Sequence, residues 1–172
     1  MGRTMLQLKD LPDKEIIRRF AERYPQANVD AVLSFLKVLQ VGTDLSLALN
    51  QYLAEFDLLQ GRWWVLILLM REEDKRATPS TLAEKAGVSR ATMTGLLDGL
   101  LKERLISREH ALVDRRQIEI KLTQAGQDKL DEVMPGYYER VSKLMATIDS
   151  DLNQQMIEAL TILHNHRQLF FN

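Results

Sequence analysis

Residues 78–123 read TPSTLAEKAGVSRATMTGLLDGLLKERLISREHALVDRRQIEIKLT, and this stretch decides the fold. Thr78 suits an N-cap and Pro79 the first helical position, where a missing N–H costs nothing. The short helix they open is stopped by Gly87. Ser89 then caps a second helix. Its apolar residues Met93, Leu96, Leu97, Leu100 and Leu101 recur at i, i+3, i+4, i+7 and i+8, the stripe of an amphipathic helix. Arg90, Thr92 and Thr94 lie on the opposite face. After Arg104 the period shortens. Leu105-Ile106-Ser107-Arg108 and Gln117-Ile118-Glu119-Ile120-Lys121-Leu122 predict two short strands around a polar turn holding Asp114-Arg115-Arg116. Two helices joined by a tight turn, then a hairpin with a basic tip, predict a winged helix-turn-helix. That arrangement puts one helix in the DNA major groove and the hairpin tip beside it.

The rest of the 172 residues surrounds this module with helices. Leu11-Pro12-Asp13 opens a predicted helix whose apolar face is Ile16, Ile17, Phe20 and Ala21, ended by Tyr24-Pro25-Gln26. A long helical pattern runs from Asn28 to about Phe56, with Val29, Val32, Leu33, Leu36, Leu39, Leu47 and Tyr52 broadly on one side. A helix from Arg62 to Glu73 is apolar almost all round and predicted to be buried. Glu72 to Arg76 reads as a solvated charged turn. Beyond the hairpin, Thr123 caps a helix running through Met145, with Pro135 a candidate kink. Asp149 or Ser150 caps the last one. These terminal helices are too long and too apolar for a small winged domain to cover. The expectation is a mainly α fold with a small β-hairpin wing, in which terminal helices of two copies form a dimer core. Residues 1–28 are an N-terminal extension with a short helix. Residues 29–57 and 124–172 are the dimerisation region, and 58–123 the DNA-binding domain.

Composition narrows the function. Hydrophobic residues make up 45% and charged residues 27%, as in ordinary soluble globular proteins. The net charge of −1 excludes a uniformly basic nucleic-acid binder. Charge is uneven, however. Residues 77–122 hold eight Lys/Arg against six Asp/Glu, a balance of +2 that leaves −3 elsewhere. That is the sign expected if the middle of the chain meets phosphate. With no cysteine, disulfides, thiolate metal sites and thiol redox sensing are excluded. His164 and His166 are two apart and share no helical face, so no metal or other cofactor is expected. No nucleophile–base pair or phosphate-binding glycine loop appears, so no enzyme is expected. No signal peptide is read at the N-terminus, and the longest apolar run, Trp63 to Met70, is too short to span a bilayer. A cytoplasmic protein without a membrane partner is the expectation.

Thr81-Leu82-Ala83-Glu84-Lys85-Ala86-Gly87-Val88-Ser89, Arg90-Ala91-Thr92-Met93-Thr94, Leu96-Leu97-Asp98, Leu100, Arg108, Asp114-Arg115-Arg116 and Leu122-Thr123-Gln124-Ala125-Gly126 together resemble the MarR family of bacterial transcription regulators. The similarity covers roughly residues 30 to 165, in order and at family spacing. The resemblance implies an obligate homodimer on a palindromic operator in double-stranded DNA, usually repressing nearby genes. It also implies release by small aromatic or phenolic ligands. Gly95 departs from the pattern, standing where the family often has a basic residue on the recognition helix, and Gly99 follows one turn on. Each costs a helix interior on the order of 1 kcal/mol relative to alanine. They either admit a close approach of DNA backbone or a neighbouring helix, or simply weaken the helix.

The candidate DNA-binding residues follow. Arg90 suits the two major-groove acceptors of guanine, and Thr92 a base edge or a thymine methyl. Ser89 and Ala91 accompany them on the first turn. Thr78, Ser80 and Thr94 fit phosphate contacts, which position without reading sequence. On the wing, Arg116 suits a narrow minor groove, Asp114 would orient it, and Arg115 suits phosphate. Trp63 and Trp64 are candidates to line an aromatic-ligand pocket, with core packing as the plainer alternative. Two other functions compete: a winged helix that binds a protein partner, and an architectural DNA binder with no effector.

Overall fold

A computed structural model describes residues 10–110 and 117–171. The chain divides into two compact units between Trp64 and Val65.

The first unit is helical. In α1 (Lys14–Arg23) the Asp13 carboxylate caps the first turn by accepting the Ile16 N–H at 2.8 Å. Only Ile17 of its expected apolar face is buried; Ile16 and Phe20 are exposed. Lys14 donates to Asp30 at 2.8 Å, tying α1 to the start of α2, and this bond holds the Asp30 carboxyl below its usual range. Asn28 caps α2 (Val29–Ala54), accepting the Ala31 N–H. The stripe expected along α2 is incomplete as a description. Leu39 and Leu47 are exposed, and so are Phe35, Val38, Val41 and Leu45 beyond it. Among the described residues, α2 is the one helix long and apolar enough to cross a membrane by length and composition. A search for uninterrupted apolar runs misses this because Lys37 and Asp44 break the sequence. Near its C-terminal end, Ser46 Oγ and Asn50 Nδ2 both donate to Gln60 Oε1 at 2.9 Å, fixing the turn into α3 (Gln60–Met70).

The second unit takes up the end of α3, where Val65, Leu66, Leu68 and Leu69 are buried. This helix stops at Met70, three residues short of its expected end, because the chain turns there into a strand. That strand, β1 (Arg76–Ala77), occupies the end of the segment expected to be a solvated turn. Two residues carry no readable period. What holds them is remote in sequence: the strand pairs antiparallel with residues 120–121, Arg76 opposite Lys121 and Ala77 opposite Ile120, and Arg76 lies 3.7 Å from Glu109 and 3.6 Å from Glu119. The sheet order is β1-β3-β2, all antiparallel, with β2 (Ile106–His110) and β3 (Ile118–Leu122) paired from Ile106↔Leu122 to His110↔Ile118. Both strands begin one residue later than their sequence pattern suggests.

Between β1 and β2 lie α4 (Pro79–Ala86) and α5 (Arg90–Lys102), the helix-turn-helix. Gly87 ends α4 at φ 64°, a left-handed conformation that glycine adopts without penalty. Its N–H reaches Glu84 O, and the Val88 N–H reaches Ala83 O, both at 3.0 Å, the paired bonds of a Schellman cap. Arg104 makes the same turn after α5 at φ 59°, with the Leu105 N–H on Leu100 O. Here a side chain occupies the left-handed position, at a cost of roughly 1 kcal/mol. Arg104→Gly is therefore expected to raise stability by about 0.5–1 kcal/mol, read as a higher denaturant midpoint at unchanged slope. An unchanged or lower midpoint would contradict the strain assigned to this turn.

Of the α5 stripe, Met93, Leu97 and Leu100 are buried against the core, while Leu96 and Leu101 are half-buried. Each fully buried side chain contributes about 1.5–3 kcal/mol. Thr123 then clamps the entry to α6 (Gln124–Met145). Its Oγ1 donates to Arg104 O at 2.8 Å and accepts the Gly126 N–H at 3.1 Å, while its own N–H donates to Leu105 O at 3.2 Å. Gly126 is packed so tightly against Leu105 that a Cβ there would overlap the Leu105 carbonyl oxygen. The helix runs unbroken through Pro135. Asp149 caps α7 (Ser150–Asn165), which buries none of its residues, and a single 3-10 turn (Arg167–Phe170) follows.

Candidate nucleic-acid interface

The N-terminal turns of α4 and α5 carry most of the candidate residues. Thr78 caps α4, its Oγ1 accepting the Thr81 N–H at 3.2 Å and lying 2.9 Å from Ser80 Oγ. Ser89 caps α5, its Oγ accepting the Thr92 N–H at 3.1 Å and lying 2.9 Å from Thr92 Oγ1. Caps of this kind explain why serine and threonine stand at these positions whatever else they do. Arg90, Ala91, Thr92 and Thr94 are all exposed. The Arg90 guanidinium has no ion-pair or hydrogen-bond partner among the described residues. Thr94 is different: its hydroxyl donates to Arg90 O at 2.9 Å. Its proton is thereby committed to its own helix, so outward it offers a methyl group and lone pairs. That chemistry suits a base edge or sugar better than phosphate.

These residues converge. Thr78, Pro79, Ser80, Arg90 and Thr94 line one groove of about 550 Å³ together with Gln117, just before β3, and Ile118 at its start. Among the described residues, the lining contains one cation and no carboxylate. Pro79, Gln117 and Ile118 are absent from the candidates read from sequence. A signal for Ile118 existed: it alternates with Ile120 on one face of β3, yet Ile120 is fully buried and Ile118 is 39% exposed. Asp114, Arg115 and Arg116 lie outside the described residues.

The wing strand is tied to α5 by a 2.9 Å ion pair between Arg108 and Asp98, two residues that carry the family resemblance. Both are half or more exposed, so the pair is worth no more than about 1 kcal/mol. Its geometric effect is to fix the strand against the helix. Gly95 faces open space, with no atom of the chain within 4 Å of an added Cβ. It therefore makes no room for a neighbouring helix of its own chain. Trp63 and Trp64 belong to the other unit. Trp63 is buried and Trp64 is 44% exposed, with ring centroids 4.6 Å apart.

A recognition helix with one polar face exposed, bound on its other face to a core and joined to a hairpin wing, defines a winged-helix DNA-binding regulator. Residues 56–117 match the model of the MarR family. The chain is 30% identical over 165 residues to the HTH-type transcriptional repressor YetL of Bacillus subtilis, covering 96% of this chain and 99% of that protein. Two solved structures share the fold. MepR of S. aureus in complex with DNA has a TM-score of 0.69 at 21% identity, covering 77% of this chain and 95% of that one. An organohalide-sensing transcriptional regulator bound to 2,4-dichlorophenol has a TM-score of 0.71 at 20% identity, covering 94% of this chain and 89% of that one. This chain belongs to the MarR family, and it is a DNA-binding transcription regulator.

Proposed function

We propose that this protein is a cytoplasmic, homodimeric repressor without catalytic activity. It binds a palindromic operator through Thr78, Ser80, Ser89, Arg90, Ala91, Thr92 and Thr94, with Asp114, Arg115 and Arg116 acting from the wing. A small aromatic or phenolic ligand releases it. The observation that carries the reading is the single groove into which Thr78, Ser80, Arg90 and Thr94 converge from two helices. Support for repression comes from the likeness to YetL along nearly the whole chain.

The dimer rests on surface that each unit leaves uncovered. Phe35, Val38, Leu39 and Val41 of α2 are exposed, as are Leu152, Ile157, Leu160, Ile162 and Leu163 of α7. Patches of this extent on a soluble chain mark an interface. That exposure supports allotting residues 29–57 and 124–172 to dimerisation and 58–123 to DNA, with 1–28 as an extension. It also accounts for α2 without a membrane, since the alignment with YetL covers 96% of this chain. For the ligand, the exposed face of Trp64 supplies an aromatic wall, and buried Trp63 beside it serves as a reporter. The dichlorophenol-bound neighbour supports this class of effector.

Sedimentation at micromolar concentration is expected to give a dimer, and removal of everything after Val133 a monomer. A mobility shift with the chain's own upstream DNA is expected to be reversed by a member of a phenolic panel. The same member should quench tryptophan fluorescence over the same concentration range. A monomeric parent would overturn the dimer. Operator release without any fluorescence change would overturn the placement of the ligand at the tryptophans.

A further inference from the structure

We propose that Gln117 is a positioning residue for the operator, and that the groove it lines seats the sugar–phosphate strand running between major and minor grooves. The inference rests on the DNA reading above. A helix in one groove and a wing in the next must have a backbone strand between them, and the surface joining helix to wing faces that strand. Here this surface is the groove walled by Arg90 and Thr94 of α5 and by Thr78, Pro79 and Ser80 of α4, with Gln117 and Ile118 at the foot of the wing. On its Gln117–Ile118 side the chemistry matches a backbone strand better than a base, while Arg90 on the opposite wall reaches the base edges. The Ile118 side chain, 39% exposed, offers apolar surface to a deoxyribose. Among the described residues, no carboxylate lines it to repel phosphate.

The donors available to a phosphate oxygen are few. Thr94 has committed its proton to Arg90 O. Thr78 is hydrogen-bonded to Ser80 and Thr81. Gln117 is exposed and its amide makes no hydrogen bond among the described residues. Its two N–H groups are free to reach non-bridging oxygens. It stands immediately before the wing strand β3 and not on the recognition helix, so its contact fixes register without reading sequence.

The test titrates the full chain against its upstream DNA fragment and an unrelated duplex at several salt concentrations. Gln117→Ala is expected to weaken both about fivefold, the effect of one hydrogen bond. The salt slope should stay unchanged, because an uncharged amide displaces no counterion. Gln117→Lys is expected to tighten both and steepen the slope by about 0.9. Replacing single phosphates by methylphosphonate should reveal one position per half-site at which the lysine's gain disappears. If the parent binds DNA but Gln117→Ala binds equally well, the assignment is overturned. It is also overturned if the lysine leaves the slope unchanged. If the parent binds no duplex, the DNA reading itself has failed and takes this inference with it.

Discussion

Gly126→Ala should lower the melting temperature by about 6–12 °C. A methyl group there would overlap the Leu105 carbonyl oxygen and lie 2.7 Å from Leu122 Cδ1. The first obstacle is backbone, held by the Thr123 N–H and by the turn at Arg104, so it cannot swing aside as a side-chain tip would. Overpacking a tight site costs about 1–3 kcal/mol and more where backbone must move. A loss of about 3 kcal/mol in a chain of this size corresponds to the stated shift. Gly95→Ala provides the opposite sign. Its Cβ meets nothing within 4 Å, so the substitution should stabilise α5 by about 0.5–1 kcal/mol through helix propensity alone. Thermal melts followed by circular dichroism separate the two. A Gly126→Ala variant that melts with the parent would show that the close approach does not exist.

Arg90→Ala should weaken operator binding by about 1–3 kcal/mol, or roughly 5–150-fold, and relax preference at one symmetric position. The side chain is exposed and has no intramolecular partner among the described residues, so the melting temperature should not move. Arg115→Ala should behave differently, weakening all sequences alike and reducing the salt slope by about one. Binding-site selection with each variant checks both. An unchanged base preference for Arg90→Ala would remove Arg90 as the reading residue.

Much of the fold was legible in short-range chemistry. Thr78, Ser89, Thr123 and Asp149, the caps expected from sequence, each accept the N–H three residues on, as do Asp13 and Asn28, which the sequence marked only as helix starts. Such caps are local and therefore readable. The Met93-Leu97-Leu100 stripe was legible for the same reason. What escaped reading depends on partners far along the chain. β1 exists through its pairing with β3, some forty-five residues on, and the tight packing of Gly126 is defined by a carbonyl twenty-one residues earlier. Exposure escaped as well. The period of α2 marks apolar positions but does not say which of them the chain itself covers. At the candidate interface, Arg90 was legible by type and position. Gln117 was not, because an amide after a turn carries no signature until its neighbours are known.

Consider finally what the Thr123 clamp means mechanically. The Thr123 hydroxyl, its N–H and the bare Cα of Gly126 pin the start of α6 to the carbonyls of Arg104 and Leu105, the residues between α5 and β2. Two hydrogen bonds and a side-chain-free contact make up this coupling. A displacement at the first turn of α6 therefore bears directly on the segment that joins the recognition helix to the wing strand, as through a splined shaft. Backlash, if the regulator has any, belongs to some softer part of the train.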